Sequence, residues 1–251
     1  MRVNQTMELI HELLGYENIK IIQNPEMFSF SLDSILLANF VKTNSKTRRI
    51  IDLGCGNAPI PLFLSLKTKA DIIGIEIQAD VADMAIRSVA MNGLEKQIKI
   101  INADFKDIYK NEFANTFDIV TSNPPYFKYN PNGNINKNEY LTIARHEVKA
   151  TLEDVVNEAK KLLVDGGTFY MVHRAERLAE IVKELSKTNF AIKKMQFVYT
   201  KASSKEALLI LLEAKKNRLE GMKVIEPLYV YEDNGEYTEI IKKIFNFKNT
   251  Q

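Results

Sequence analysis

Four consecutive residues carry the clearest chemistry in the chain: Asn123, Pro124, Pro125 and Tyr126. Two prolines in succession fix φ and remove two N–H groups. The residue before each proline is held extended. The Asn123 side-chain oxygen and the Pro124 carbonyl are thereby left as acceptors, and both can accept from one –NH₂ group. An exocyclic aromatic amine is a poor nucleophile because its lone pair is delocalised into the ring. Two acceptors on its hydrogens favour a pyramidal nitrogen and stabilise the positive charge that develops as it attacks an electrophilic carbon. Tyr126 offers a flat face on which a base can stack, worth roughly 1–3 kcal/mol in single-strand binders. Pro125 and Phe127 extend that face toward the substrate. Such a site works by positioning and electrostatics, without a metal or a covalent nucleophile. The bland alternative is a rigid turn with exposed aromatics.

A second constellation is the run Asp52-Leu53-Gly54-Cys55-Gly56-Asn57-Ala58-Pro59. Glycines one residue apart, where a strand hands over to a helix, permit positive φ and close approach of a ligand to the backbone. The following helix start offers free N–H groups and a positive dipole end. A G-x-G turn alone is shared by dinucleotide enzymes and methyltransferases. Here Ala58-Pro59 stands where a dinucleotide turn would have its third glycine, and Asp52 would repel a diphosphate. A ligand carrying an ammonium and a sulfonium, as S-adenosylmethionine does, is favoured over NAD. Glu76, 22 residues after Gly54, is placed to accept from ribose hydroxyls, as an acid at that spacing does in dinucleotide folds; otherwise it is a surface acid. Asp104 either accepts from an adenine amino group or caps the next short helix. Phe105 lies against the adenine ring or belongs to the core. Asn123 is expected to border the cofactor as well. Cys55, inside this turn, is a poor candidate for covalent chemistry.

The elements that must hold these residues alternate. Strands are predicted over 49–53, 71–75, 98–101, 117–121 and 168–173, with Gly166-Gly167 turning into the last. Helices are predicted over 59–66, 78–91, from Thr151 to Leu163, and from Arg174 to Leu185. That alternation means βαβ units in a doubly wound, mostly parallel α/β sheet with right-handed crossovers. Runs 191–199 and 207–213, joined by a short loop, suggest a hairpin and one antiparallel strand in that edge region. Residues 1–48 form a separate helical or extended cap, with a break at Pro25, alternation at Phe28 and Phe30, and a helix over 32–41 with Asp33 near its start. His11 is assigned to an N-terminal helix and, with His173, to structure rather than chemistry. The cap either covers the mouth of a pocket or is purely structural. The catalytic fold then spans 49–215, and 216–251 packs on it as an extension.

Composition excludes much. The chain has 251 residues with 45% hydrophobic and 26% charged, one Cys and three His. That is one large domain, or one plus a small attachment, with neither a disulfide framework nor the ligands for a dedicated zinc site. No apolar run is long enough to span a bilayer. The N-terminal residues lack a secretory signal, so a reducing cytoplasm is expected. Thirty-four basic and 32 acidic side chains nearly cancel. From Ile181 to Lys223, however, ten Lys/Arg face four acids, either a solvated face or a phosphate-facing patch. The polar segment 128–137 reads as a loop beside the site. Lys128, Lys149 and Arg174 are candidate backbone contacts for a nucleic acid, which would position rather than specify. His146, in the run Arg145-His146-Glu147, either contacts phosphate or the cap segment or makes a structural hydrogen bond.

Asp52-x-Gly54-x-Gly56, Glu76, Asp104 and Asn123-Pro124-Pro125-Tyr126 together resemble class I S-adenosylmethionine-dependent methyltransferases that act on amino groups. The finer resemblance is to the bacterial family that methylates the exocyclic amine of adenine 37 in tRNA(Val). It is carried by the run from Asn24 to Ser34, by Ala144-Arg145-His146-Glu147 and by Tyr237-Thr238-Glu239, and extends over about residues 5–240. Ala58 departs from the family's small glycine. The resemblance implies a Rossmann-like, seven-stranded sheet with the last strand inserted antiparallel. It also implies S-adenosyl-L-methionine as cofactor and a tRNA substrate; separately, no metal and no membrane are expected, and a monomer by default. In this reading Asn123, Pro124 and Tyr126 are catalytic, and Asp52, Gly54, Gly56, Glu76, Asp104, Phe105 and Asn123 hold the cofactor. Pro125, Tyr126, Phe127, Lys128, Arg145 and His146 meet the substrate. The same grip on a protein glutamine amide, or on a guanine or cytosine amine, is the nearest alternative. A non-catalytic RNA-binding module and an NAD-dependent oxidoreductase are the alternatives from other classes.

Overall fold

The computed structural model describes residues 7–27, 32–128, 140, 142, 147 and 149–246. A hairpin of β1 (Leu9–Leu13) and β2 (Tyr16–Gln23) precedes α1 (Leu32–Phe40). Then come β3 (Arg49–Leu53), α2 (Pro59–Ser65), β4 (Asp71–Glu76), α3 (Ala79–Met91), β5 (Ile98–Asn102) and β6 (Phe117–Ser122). The second half contributes α4 (Leu152–Leu162), β7 (Leu163–Arg174), α5 (Leu178–Lys187), β8 (Phe190–Lys201) and β9 (Leu209–Lys216). The chain closes with β10 (Lys223–Val224), β11 (Leu228–Tyr231) and α6 (Glu239–Ile244).

Strand order is β10-β8-β9-β7-β6-β3-β4-β5, with β11 also paired to β8, so that among the described residues the sheet has the expected seven strands, β3 to β9, plus two more. The extra two are short and lie parallel along the outer edge of β8. The antiparallel member is β9, inserted between β7 and β8. Ile50, Ile51 and Leu53 of β3 are buried, as a strand covered on both faces requires. Helix α4 starts where Thr151 and Asp154 cap each other reciprocally. Helix α3 stops at Asn92, with Gly93 at φ 65°. Strand order reverses between β3 and β6, and a cleft opens beyond the carboxyl ends of those strands.

Three local expectations are corrected. His11 lies on β1, not on a helix, paired with Ile21 in the hairpin. The period-2 run Ile19-x-Ile21, buried at both positions, makes extended pairing the arrangement that hides the apolar face. Gly166-Gly167 sits inside β7 as an irregularity, because Gly166 (φ 78°) bulges the strand instead of ending it. Arg174 ends β7, and a 3₁₀ turn at Ala175–Arg177 precedes α5.

The hairpin is fastened to α3. Ile22 N donates to Ser88 Oγ at 2.9 Å, and Arg87 grips both Glu8 oxygens at 2.7 Å. Its turn meets the other end of the chain, where Gly15 N donates to the Phe245 carbonyl at 2.9 Å. A Cβ on Gly15 would lie 2.3 Å from the Asn246 carbonyl oxygen, so only glycine fits there. Leu13, Leu36, Ile50, Leu211, Ile241 and Phe245 share one apolar cluster.

Candidate active site

The cleft holds a cavity of about 490 Å³ over the ends of β3, β4 and β6. Its floor is the glycine turn, where Gly54, Gly56 and Ala58 take φ of 73°, 55° and 71°. A Cβ on Gly54 would meet nothing within 4 Å, so this backbone faces open space in which a ligand can lie against it. Gly56 N donates to Glu76 Oε2 at 3.0 Å and Gln78 N to Oε1 at 2.8 Å. Burial pushes the Glu76 carboxyl up from its ordinary range, while these amides oppose that shift. A carboxylate has about four lone-pair sites, so Glu76 can still accept from a vicinal diol in the cavity. Asp104 and Phe105 line the opposite wall with Ile77 and Val81. Lys106 N donates to Asp104 Oδ1 at 2.9 Å, which aims the carboxylate while leaving its side chain 43% exposed. The Gln78 side-chain oxygen is buried on this wall with no partner among the described residues.

Asp52 lies beneath the turn rather than on the cavity surface. It is fully buried, opposite Gly74 and Thr121 in the sheet. Thr121 Oγ1 donates to Asp52 Oδ1 at 2.6 Å, and Oδ2 has no partner among the described residues. Burial pushes this carboxyl up to about 7, the Thr121 bond opposes the shift, and Glu76 adds to it.

The other wall is the Asn123–Phe127 segment. Asn123, Pro124, Pro125, Tyr126 and Phe127 all face the same cavity as Gly54 and Glu76. Tyr126 OH lies 2.7 Å from both Asn123 Oδ1 and Asp33 Oδ2, and Asn123 Nδ2 donates to Ser34 Oγ at 3.0 Å. The Pro124 carbonyl accepts no hydrogen bond among the described residues. The Tyr126 ring leans on the buried His173 ring, centroids 5.3 Å apart and tilted 47°. Behind it, Arg177 donates to the Tyr126 carbonyl at 3.2 Å and to Glu147 Oε1 at 2.8 Å, and its other nitrogens hold Glu180. Glu147 Oε1 also accepts from Leu152 N at 3.0 Å. The segment's backbone is thus tied to the starts of α4 and α5.

Several of these partners carried no site assignment in the sequence. Asp33 and Ser34 enter from α1, and Pro25 joins them on the cavity wall, so the N-terminal segment borders the cleft. A helix starting at Leu32 gave a signal for Asp33 at its first turn, but nothing local said where that turn would dock. Lys128 is 69% exposed and paired with Glu180 at 3.1 Å, off the cavity wall, whereas Lys149 lines it. Arg145, His146 and loop residues 129–137 lie outside the described residues. The basic stretch is largely engaged. Lys187 and Lys194 pair with Glu184 and Glu213, Lys193 and Lys201 bond carbonyls, and Lys216 is buried on Asn115 and the Leu163 carbonyl. No helix among the described residues is long and apolar enough to cross a membrane.

A family model described as the methyltransferase small domain matches residues 18–201. A tRNA1(Val) (adenine(37)-N6)-methyltransferase of Phocaeicola vulgatus is 24% identical over 85% of this chain and 88% of its own length. The enzyme of that name from Yersinia enterocolitica is 27% identical over 56% of this chain, a match spanning 55% of the relative's length. Among solved structures, a predicted O-methyltransferase of Agrobacterium tumefaciens superposes with a TM-score of 0.68 at 20% identity, covering 86% of this chain and 96% of that one. M. capricolum TrmK, solved with S-adenosyl-homocysteine, gives 0.54 at 19% identity over 77% and 72% of the two chains. These structures share the Rossmann-like fold.

Proposed function

This chain belongs to the methyltransferase small domain family, and on that premise we propose that it methylates the exocyclic amine of adenine 37 in a tRNA of the tRNA1(Val) type, using S-adenosylmethionine. The observation that carries the reading is the single cavity onto which Gly54, Glu76, Asn123, Pro124 and Tyr126 all open. Glu76 accepts from the ribose hydroxyls, Asp104 from the cofactor's adenine amino group, and the bare backbone at Gly54 receives the methionine portion. Asp52 acts from below, as buried negative charge under a cationic ligand. When bound, S-adenosylmethionine supplies a methyl carbon on a positively charged sulfur.

The protein's part is to present the amine. Asn123 Oδ1 and the Pro124 carbonyl accept its two hydrogens, turning the nitrogen lone pair toward the methyl and stabilising the charge that develops. Tyr126, Pro125 and Phe127 form the face against the base. A loop base needs little unpairing, so its insertion is cheap compared with flipping from a duplex. Cytoplasmic location follows from such a substrate.

Asn123→Ala should lower turnover by at least about 10²-fold, the range for losing one acceptor aimed at developing charge. Affinity for S-adenosylhomocysteine by calorimetry should stay near wild type. Wild-type turnover in that variant would reject the mechanism. Methyl incorporation into total tRNA but not into translation factors separates the adenine reading from a glutamine-amide one. N6-methyladenosine, found by nucleoside mass spectrometry at position 37 of the product, fixes the base.

A further inference from the structure

A hydroxyl has one proton to donate, yet the Tyr126 hydroxyl lies 2.7 Å from two acceptors, Asp33 Oδ2 and Asn123 Oδ1. The Asn123 amide nitrogen donates to Ser34 Oγ, at 3.0 Å on a buried side chain, and this orientation presents the amide oxygen to the tyrosine. The two acceptors therefore compete for the same proton. If it points to Asn123, one of the two lone pairs of the carboxamide oxygen is taken by a neighbour, which weakens and misdirects the oxygen as an acceptor for a substrate amine. If it points to Asp33, that oxygen is open. An ionised carboxylate is the stronger acceptor, so the competition is settled by Asp33. Burial and the adjoining carboxylate push the Tyr126 phenol well above its ordinary range, so it remains a donor.

Building on the amine-methylation reading, we propose that Asp33 is a positioning residue for the transfer: by drawing the Tyr126 hydroxyl proton to itself it keeps the Asn123 oxygen free to hold the substrate amine. Asp33 touches neither reacting atom. It acts through Tyr126, and the N-terminal segment thereby becomes part of the catalytic apparatus.

The test is a rescue. Single-turnover rates, KM for tRNA and S-adenosylhomocysteine affinity are measured for wild type, Asp33→Ala, Asp33→Asn, Tyr126→Phe and Asp33→Ala/Tyr126→Phe. Asp33→Ala should slow transfer about 10- to 30-fold, the weight of one competing hydrogen bond to a charged group. KM and S-adenosylhomocysteine affinity should stay within about twofold, since no binding group is removed. Asp33→Asn, whose neutral carboxamide oxygen is no stronger an acceptor than that of Asn123, should fall between wild type and Asp33→Ala. Removing the tyrosine hydroxyl removes the competing donor, so the double variant should transfer faster than Asp33→Ala and match Tyr126→Phe, a non-additivity that loss of packing does not produce. Asp33→Leu, which fills the same space and accepts nothing, is the second truncation should Asp33→Ala not fold. A double variant no faster than the single one, or a loss confined to KM or cofactor affinity, overturns the proposal. A wild-type protein that does not methylate tRNA overturns the reading beneath it instead.

Discussion

Tyr126 is tied at both ends, and its carbonyl end rests on a buried ion pair. Arg177 and Glu147 side chains are each 9% exposed and 2.8 Å apart. A buried pair is not in itself a strong stabiliser, but removing one partner strands the other, at about 3–5 kcal/mol. Arg177→Met should therefore lose about that much in urea unfolding, while Arg177→Met/Glu147→Met should lose less than Arg177→Met alone. A double variant that is worse than the single one would mean that Glu147 still stabilises without Arg177, through the Leu152 N–H from which it accepts. At this scale the sequence was informative where chemistry constrains the backbone. Two adjacent prolines after Asn123, and glycines at 54 and 56 with φ of 73° and 55°, are visible because few other residues take their place. Arg177 was invisible because it lies within a span whose periodicity predicts plain helix, and Glu147 because only tertiary packing brings it under Tyr126.

At the scale of elements, α1 delivers Asp33 and Ser34 to the cleft from its first turn, and its other end is fixed by one side chain. Lys67 Nζ donates to the carbonyls of Ala38, Asn39 and Val41 at 2.8–2.9 Å, closing acceptors that a helix C-terminus leaves open. Burial lowers this amine to about 8, and the neighbouring Lys42 contributes to the shift. Lys67→Met keeps the stem and removes all three donors. It should destabilise by about 1–3 kcal/mol, read by chemical denaturation. It should also slow methyl transfer more than it weakens S-adenosylhomocysteine binding, because α1 supplies the site's acceptor-positioning residues rather than the glycine turn. Equal losses in both would show that α1 supports the cleft as a whole. The sheet's core strands and α2 to α4 were legible because their apolar runs and stop signals agree with their burial. The β1–β2 hairpin was not, since five residues with four exposed give β1 no period to read. Nor were β10 and β11, two short strands that exist only because β8 offers an edge.

Over the whole molecule, 34 basic and 32 acidic groups nearly cancel, yet buried groups whose pKa differs between the folded and unfolded chain make stability depend on pH. Two of them, both fully buried, oppose each other. Asp52 rises from 3.8 in the unfolded chain to about 7, chiefly through desolvation. Between those values the folded state holds a proton that the unfolded state has lost, so stability falls as pH rises. His173 drops from 6.5 to about 3, through desolvation and then the charge of Arg177. Between those values the unfolded state holds the proton, so stability falls as pH falls. Each contributes about 1.4 kcal/mol per pH unit within its window. The windows overlap from about pH 4 to 6.5, where the two slopes cancel in the wild-type protein. Asp52→Asn keeps an acceptor for Thr121 and removes the charge. The stability of Asp52→Asn relative to wild type should therefore climb with pH across the Asp52 window and level off above it. For His173→Gln the difference from wild type should instead decline across the His173 window, whatever constant loss the smaller side chain brings. Urea unfolding without ligand at half-unit steps from pH 4 to 8 separates the two. A flat difference for Asp52→Asn would mean that Asp52 is ionised in the folded state at acid pH, with its second oxygen stabilised by a contact other than Thr121. Repeating the series with saturating S-adenosylhomocysteine then tests the site itself, since an ammonium over the turn should favour the ionised Asp52 and shift its window toward lower pH.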